Sequence, residues 1–116
     1  MKIKQIIKGN KIIAQFMRIT NQHEIYIPVR GEVPVGCELK PYRPEELKYH
    51  SSWDWIMHVI GEIESNKKCN GFVTINPRVC FIKNMTSFYS HETQNDCKLT
   101  AVYTEVVRFL AWYNNI

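Results

Sequence analysis

Leu47–Glu64, LKYHSSWDWIMHVIGEIE, decides the fold class. At 100° per residue, Trp53, Ile56, Met57, Ile60 and Ile63 fall on one arc, with Val59 and Trp55 at its rim. His50, Asp54, His58, Gly61 and Glu62 share the opposite side. Ser51 and Asp54, three residues apart, form a capping-box-like start. The hydroxyl can accept from a free first-turn N–H, and the carboxylate sits at the positive end of the helix dipole. Asn66 and the Lys67–Lys68 pair suit a C-terminal end. The stretch predicts one capped amphipathic helix. Burying each aliphatic side chain contributes roughly 1.5–3 kcal/mol before entropy is subtracted.

Downstream, Phe72–Ile75 and Val79–Ile82 flank Asn76-Pro77-Arg78. A three-residue loop there sets Ile75 against Val79 and Val73 against Phe81. Val73, Ile75, Val79 and Phe81 then share one face, and Phe72, Thr74, Cys80 and Ile82 the other. Both faces are largely apolar, which predicts a hairpin near the middle of a sheet. Residues 84–95, NMTSFYSHETQN, read as a polar loop anchored by Phe88-Tyr89. Asp96 can cap a last helix over Lys98–Tyr113, with Leu99, Val102, Tyr103, Val106, Phe109, Leu110 and Tyr113 on its core arc. Trp112 falls off that arc, beside Ala101, Glu105 and Arg108.

Upstream the pattern is weaker. Residues 1–8 place Ile3, Ile6 and Ile7 among lysines, as an edge strand or an extension, and Gly9-Asn10 breaks the run. Lys11–Met17 has helical spacing, with a strand as its competitor; so short a helix depends on docking. His23–Arg30 alternates Ile25, Ile27 and Val29 against Glu24, Tyr26 and Pro28, an edge-strand signature. Val33–Leu39 can return beside it, although Pro34 and Gly36 oppose that. Pro44-Glu45-Glu46 suits a helical turn. The expectation is an α+β fold: a small antiparallel sheet against two main amphipathic helices, plus a short N-terminal helix. It forms a single domain over residues 1–116, with a basic leader at 1–9.

The net charge of +4 is unevenly spread. Lys2, Lys4, Lys8, Lys11 and Arg18 lie in residues 1–23 with no acid, leaving ten bases against eleven acids elsewhere. A basic segment of this kind suits an acidic partner such as RNA, DNA or a nucleoprotein, or is simply a solvated face. Cys37, Cys69, Cys80 and Cys97 form no C-x-x-C pair, the short apolar pairs broken by lysines after Met1 are not expected to act as a signal peptide, and no run is long enough for a membrane-spanning helix. A cytoplasmic protein with reduced thiols is expected.

The line His50, Asp54, His58, Glu62 has i, i+4 spacing, but no second segment completes a metal or acid–base site. Nothing orders a thiol triad around Cys97 or Cys80. No phosphate-binding glycine loop or dinucleotide fingerprint is present, so no cofactor, metal or catalytic residue is assigned. Trp112, with Arg108 at i−4, and Trp55 at its helix rim could anchor an interface, two tryptophans flanking one groove. The candidate binding residues are therefore Lys2, Lys4, Lys8, Lys11, Arg18, Trp55, Arg108 and Trp112.

Three motifs, NKIIAQFM, LKYHSSWDWIM and AVYTEVVRFLAWYN, resemble a group of small standalone proteins carried by phages and prophages of Bacteroidota. Their pattern reads N-K-L-I-A-E-F-M, then L-K-Y-H-x-S-W-D-W-L-M-P-V-V, then A-V-Y-x-x-V-V-x-F-I-x-W-Y-N. His58 stands where the pattern has proline, and residues 1–9 and 28–44 lie outside it. The resemblance implies a mobile-element origin and no recognised catalytic residues. In size and source the chain is similar to inhibitors of type VI RNA-guided RNA nucleases. The expectation is a non-enzymatic, anti-CRISPR-like binding protein that docks on a bacterial effector nuclease, a ribonucleoprotein or its RNA. The alternatives are a nucleic-acid-binding accessory protein, or a small enzyme using the His50–Glu62 line.

Overall fold

The computed structural model describes residues 1–84 and 90–114. In chain order the elements are α1 (Ile3–Phe16), β1 (Thr20–Gln22), β2 (Ile25–Ile27), a 3-10 turn (Pro44–Glu46), α2 (Trp53–Ser65), β3 (Gly71–Ile75), β4 (Val79–Asn84), β5 (Ser90–Gln94) and α3 (Lys98–Asn114). The fold is α+β. The sheet β3-β4-β5 is antiparallel throughout, and β1-β2 is a separate hairpin. The anchoring expected of Phe88-Tyr89 lies outside the described residues.

α3 is the element the others cover. It packs on β4 and β5 from one side, and on α1 and α2 from another. Ala101 and Glu105, expected away from the core, are therefore as buried as Val102, Val106, Phe109 and Leu110. Packed against both the sheet and the other helices, α3 buries more than one arc over those turns and leaves Arg108 exposed, which a single-arc reading does not anticipate. Thr93 of β5 donates its hydroxyl to Glu105 Oε1 at 2.9 Å, so the buried carboxylate is hydrogen-bonded.

α1 overturns the N-terminal expectation. The helix expected over Lys11–Met17 is present but starts at Ile3: residues 3–8 are helical rather than a strand, and Gly9-Asn10 does not interrupt its 14 residues. Glycine inside a helix costs about 1 kcal/mol relative to alanine. Here contact with α3 requires it, because a Cβ on Gly9 would run into the Tyr103 hydroxyl. Asn10 is fully buried. Its Nδ2 donates to the carbonyls of Pro44 at 2.8 Å and Leu47 at 3.0 Å, and its Oδ1 accepts from the Tyr103 hydroxyl at 3.0 Å. One side chain thus joins α1, the turn leading to α2, and α3.

Beyond α1, Arg18 takes a left-handed conformation (φ 59°), and the Ile19 N–H returns to the Ala14 carbonyl, closing the helix as a glycine usually does. The β1–β2 hairpin turns on His23 and Glu24, both at positive φ. β2 is shorter than the expected strand and faces the other way: Tyr26 is buried, while Ile25 and Ile27 are half-buried. Its second neighbour is a single bridge to Tyr42, not a strand over Val33–Leu39.

α2 begins later than expected, at Trp53, and Ser52 rather than Ser51 caps it, accepting from the Trp55 N–H. Tyr42 and Tyr49, on the segment before it, meet Trp55 edge-on at 5.7 and 5.2 Å. They draw the buried arc to Trp55, Ile56, Val59, Ile60 and Ile63. Trp53 and Met57, expected in the core, remain 39% and 45% exposed.

In the β3–β4 hairpin Ile75 opposes Cys80, and Val73 opposes Ile82. Asn76 and Val79 pair across a two-residue Pro77-Arg78 turn, one residue shorter than the expected loop, so Cys80 and Ile82 share the core face with Val73 and Ile75. Lys83 and Phe72, also paired, are exposed. Residues expected as loop form β5 on the far side of β4.

Two substitutions test this packing by urea denaturation. Asn10→Ala removes three buried hydrogen bonds, while the Tyr103 hydroxyl keeps the Ile6 carbonyl at 3.2 Å and the Pro44 carbonyl keeps the Leu47 N–H at 3.3 Å, and it lowers stability by roughly 1–3 kcal/mol. The Tyr49 hydroxyl is buried and has no hydrogen-bond partner among the described residues. Tyr49→Phe therefore leaves stability unchanged or raises it by about 1 kcal/mol.

Candidate interaction surface

α1 has two faces because Gly9, Asn10, Ile13 and Ala14 are buried on the inner one. Lys4, Lys8 and Lys11, spaced i, i+4 and i+7, fall within about 60° of one another on the outer side. Lys4 and Lys8 are exposed, as is Lys2 at the N-cap position. No acidic residue occupies the first turn. Lys2 and Lys4 therefore sit at the positive end of the helix dipole, where a cation loses typically 0.3–1 kcal/mol rather than gaining it.

Lys11 is held differently. Its Nζ lies 2.8 Å from Glu24 Oε1 on the β1–β2 turn, a hydrogen bond that raises its pKa above the ordinary value. Arg18, just past the helix, is exposed. It lines a cleft of about 860 Å³ together with Phe16, Met17, Glu32, Met57 and Tyr113. The cleft lies between the C-terminal ends of α1 and α3 and the outer side of α2, an arrangement the sequence did not signal. Its aromatic and thioether groups come from three separate elements.

The two tryptophans do not flank a common groove. Trp55 is 2% exposed, held between Tyr42 and Tyr49, and offers nothing to a partner. Trp112 is half-buried, its ring tilted on Phe109 at 5.7 Å. Arg108 is exposed and donates to Thr93 Oγ1 at 3.3 Å, with Glu105 Oε1 at 3.7 Å. The structure thus brings Lys4, Lys8 and Lys11 into one stripe, with Lys2 at its start. Arg18 stands at the far end of α1, and Arg108 and Trp112 belong to α3.

The expected His50–Asp54–His58–Glu62 line does not form, because His50 precedes α2. Its ring meets Tyr103 edge-on at 6.0 Å, and Nδ1 lies 3.4 Å from Asn10 Nδ2. His58 Nε2 instead reaches the Gly31 carbonyl at 3.0 Å. Among the described residues no three His, Cys, Asp or Glu side chains gather to hold a metal ion. All four cysteines are free. Burial pushes the Cys69 and Cys80 thiols up to about 12, while hydrogen bonds from Thr100 lower that of the exposed Cys97.

Burial lowers the His50 pKa from its ordinary 6.5, against a smaller opposing hydrogen bond to the Leu47 backbone. The folded state therefore prefers the neutral ring. Its contribution to stability is complete above 6.5 and is lost as pH falls from there toward the lowered folded value. The urea midpoint should drop between pH 7 and pH 5, and His50→Gln should flatten that dependence; an equally steep dependence in the variant assigns it to other groups. Compared with known proteins, the chain matches no family model, no curated protein and no solved structure.

Proposed function

We propose that this chain is a binding protein that docks on a polyanionic partner through the lysine face of α1. The partner we assign is a bacterial immune nuclease, met at its nucleic-acid channel or guide RNA. The chain would then be an anti-CRISPR-like inhibitor of phage origin, acting stoichiometrically in the host cytoplasm. One observation carries the binding mode: Lys2 and Lys4 stand at the end of α1 where the helix's own field opposes them, with Lys8 continuing the stripe. Such charge does nothing for the helix, and a phosphate-lined surface compensates it. The resemblance to phage proteins supports the choice of a nuclease. Trp55 takes no part. Arg108 and Trp112 lie on another element and are secondary contacts at most.

The same stripe supports a second reading, direct binding to nucleic acid. The two separate by experiment. Direct binding predicts that labelled single-stranded RNA binds the isolated protein, with log K falling against log salt at a slope of about −2 to −3 for three engaged lysines. Inhibition of a nuclease predicts co-purification of the effector from a host expressing it, and loss of interference in cells. Lys4→Glu with Lys8→Glu should weaken either interaction at least about tenfold without changing the thermal midpoint by more than a degree or two. Undiminished inhibition by that variant removes the α1 reading, and a capture that recovers neither nuclease nor RNA removes both.

A further inference from the structure

A second cationic region lies far along the chain from α1. From Asn66 to His91 the sequence holds Lys67, Lys68, Arg78 and Lys83 and no acid. The fold places Lys67 and Lys68 in the α2–β3 turn and Arg78 and Lys83 in the β3–β4 hairpin, all four exposed. Within it β3 is, among the described residues, an edge strand, paired on one side with β4. Natural edges are blunted by lysine, proline or a bulge. β3 reads Gly-Phe-Val-Thr-Ile, with no charge and no proline, and Phe72 is 54% exposed. The other edge, β5, carries the exposed carboxylate of Glu92.

The hairpin register sets which backbone groups are free. Asn76 and Val79 exchange both backbone hydrogen bonds at the loop. Antiparallel alternation then turns the N–H and C=O of Thr74 and Phe72 toward β4, and those of Gly71, Val73 and Ile75 outward. All three outward residues are half-buried rather than sealed, and among the described residues no further strand pairs with them. α2 packs against β3, with Ile63 standing where a Cβ on Gly71 would be. Nearby acids come from other elements: Glu62 and Glu64 on α2, and Asp96 beside Arg78 in a shallow hollow.

We propose that β3 is a docking edge for an extended acidic segment of a partner protein, which adds as a fourth strand. Its backbone would pair with Gly71, Val73 and Ile75, and carboxylates at its ends would meet Lys67–Lys68 and Arg78. A second copy of this chain fits less well. Antiparallel self-pairing centred on Val73 brings the Lys67–Lys68 turn of one copy toward the Arg78 turn of the other at both ends, like charge toward like. A nucleic acid would use the cations but leave the outward backbone groups and the apolar strand unmatched. The proposal is independent of the α1 reading, and Lys4→Glu with Lys8→Glu should leave it untouched.

The test uses the full chain with two synthetic capped peptides, EEVTVTVEE and KKVTVTVKK, in titrations followed by amide exchange. The acidic peptide should bind at least about tenfold tighter than the basic one, and slow exchange at Gly71, Val73 and Ile75. Val73→Pro removes an N–H that faces away from β4, so it should abolish binding while the hairpin persists. Should that variant unfold, Lys67→Glu with Lys68→Glu carries the same test by reversing the peptide preference. Equal binding, no binding, protection on β5 instead, or a concentration-dependent dimer that protects these three amides by itself would each overturn the proposal.

Discussion

The side chain of Asn10 is the constraint on which the arrangement of the helices depends. It is an amide buried to exclusion of water, and burying such a group without partners costs several kcal/mol. Its donors are both spent on carbonyls of the turn before α2, and its oxygen accepts from Tyr103 on α3. Hydrophobic packing alone would allow α1 to rotate or slide along α3. Three directed hydrogen bonds admit one register, and Gly9 lets the backbone come close enough to make them.

That register also decides what α1 shows to solvent. With Gly9, Asn10, Ile13 and Ala14 turned inward, Lys4 and Lys8 must point out. A second buried amide works in the same way at the other end of the molecule. Asn84 closes β4 by donating to the Cys69 carbonyl at 2.6 Å, tying the sheet to the turn after α2. Asn66 shapes that turn, its side-chain oxygen accepting from the N–H groups of Lys68 and Cys69. The two basic surfaces are thus each positioned by a polar side chain in the interior or at a turn, not by the charges themselves.

The long periodic segments were legible in the sequence, and their phase was not. Period alone identifies α2 and α3, but which residues an arc buries depends on neighbours. Tyr42 and Tyr49 close over Trp55 and leave Trp53 outside, and the sheet claims the side of α3 that holds Ala101 and Glu105. The β3–β4 register slips by one residue because the loop length was inferred from composition, and one residue exchanges every face. The β1–β2 hairpin gave no signal because His23-Glu24 occupies positions that Asn-Gly normally marks. Its turn is held from outside, by Lys11 on Glu24. Gly9-Asn10 misled for the same reason: a pair that reads locally as a break is retained for contacts more than thirty residues away.

The surface charges divide by element. α1 carries lysines and no acid; α2 carries Asp54, Glu62 and Glu64 and no lysine or arginine; the β3–β4 hairpin is again purely cationic. Blocks of one sign repel within themselves and weaken a small fold slightly, so they are not what a stability requirement alone would select. They do orient an approaching partner, because the field near each face has a single sign over about a Debye length of 8–10 Å. The candidate residue that the fold has buried, Trp55, acts only by helping to fix where these charged faces stand. On the docking proposed above, affinity would come from the exposed lysines and the edge of β3, two surfaces of different chemistry that a single flat ligand would not satisfy together.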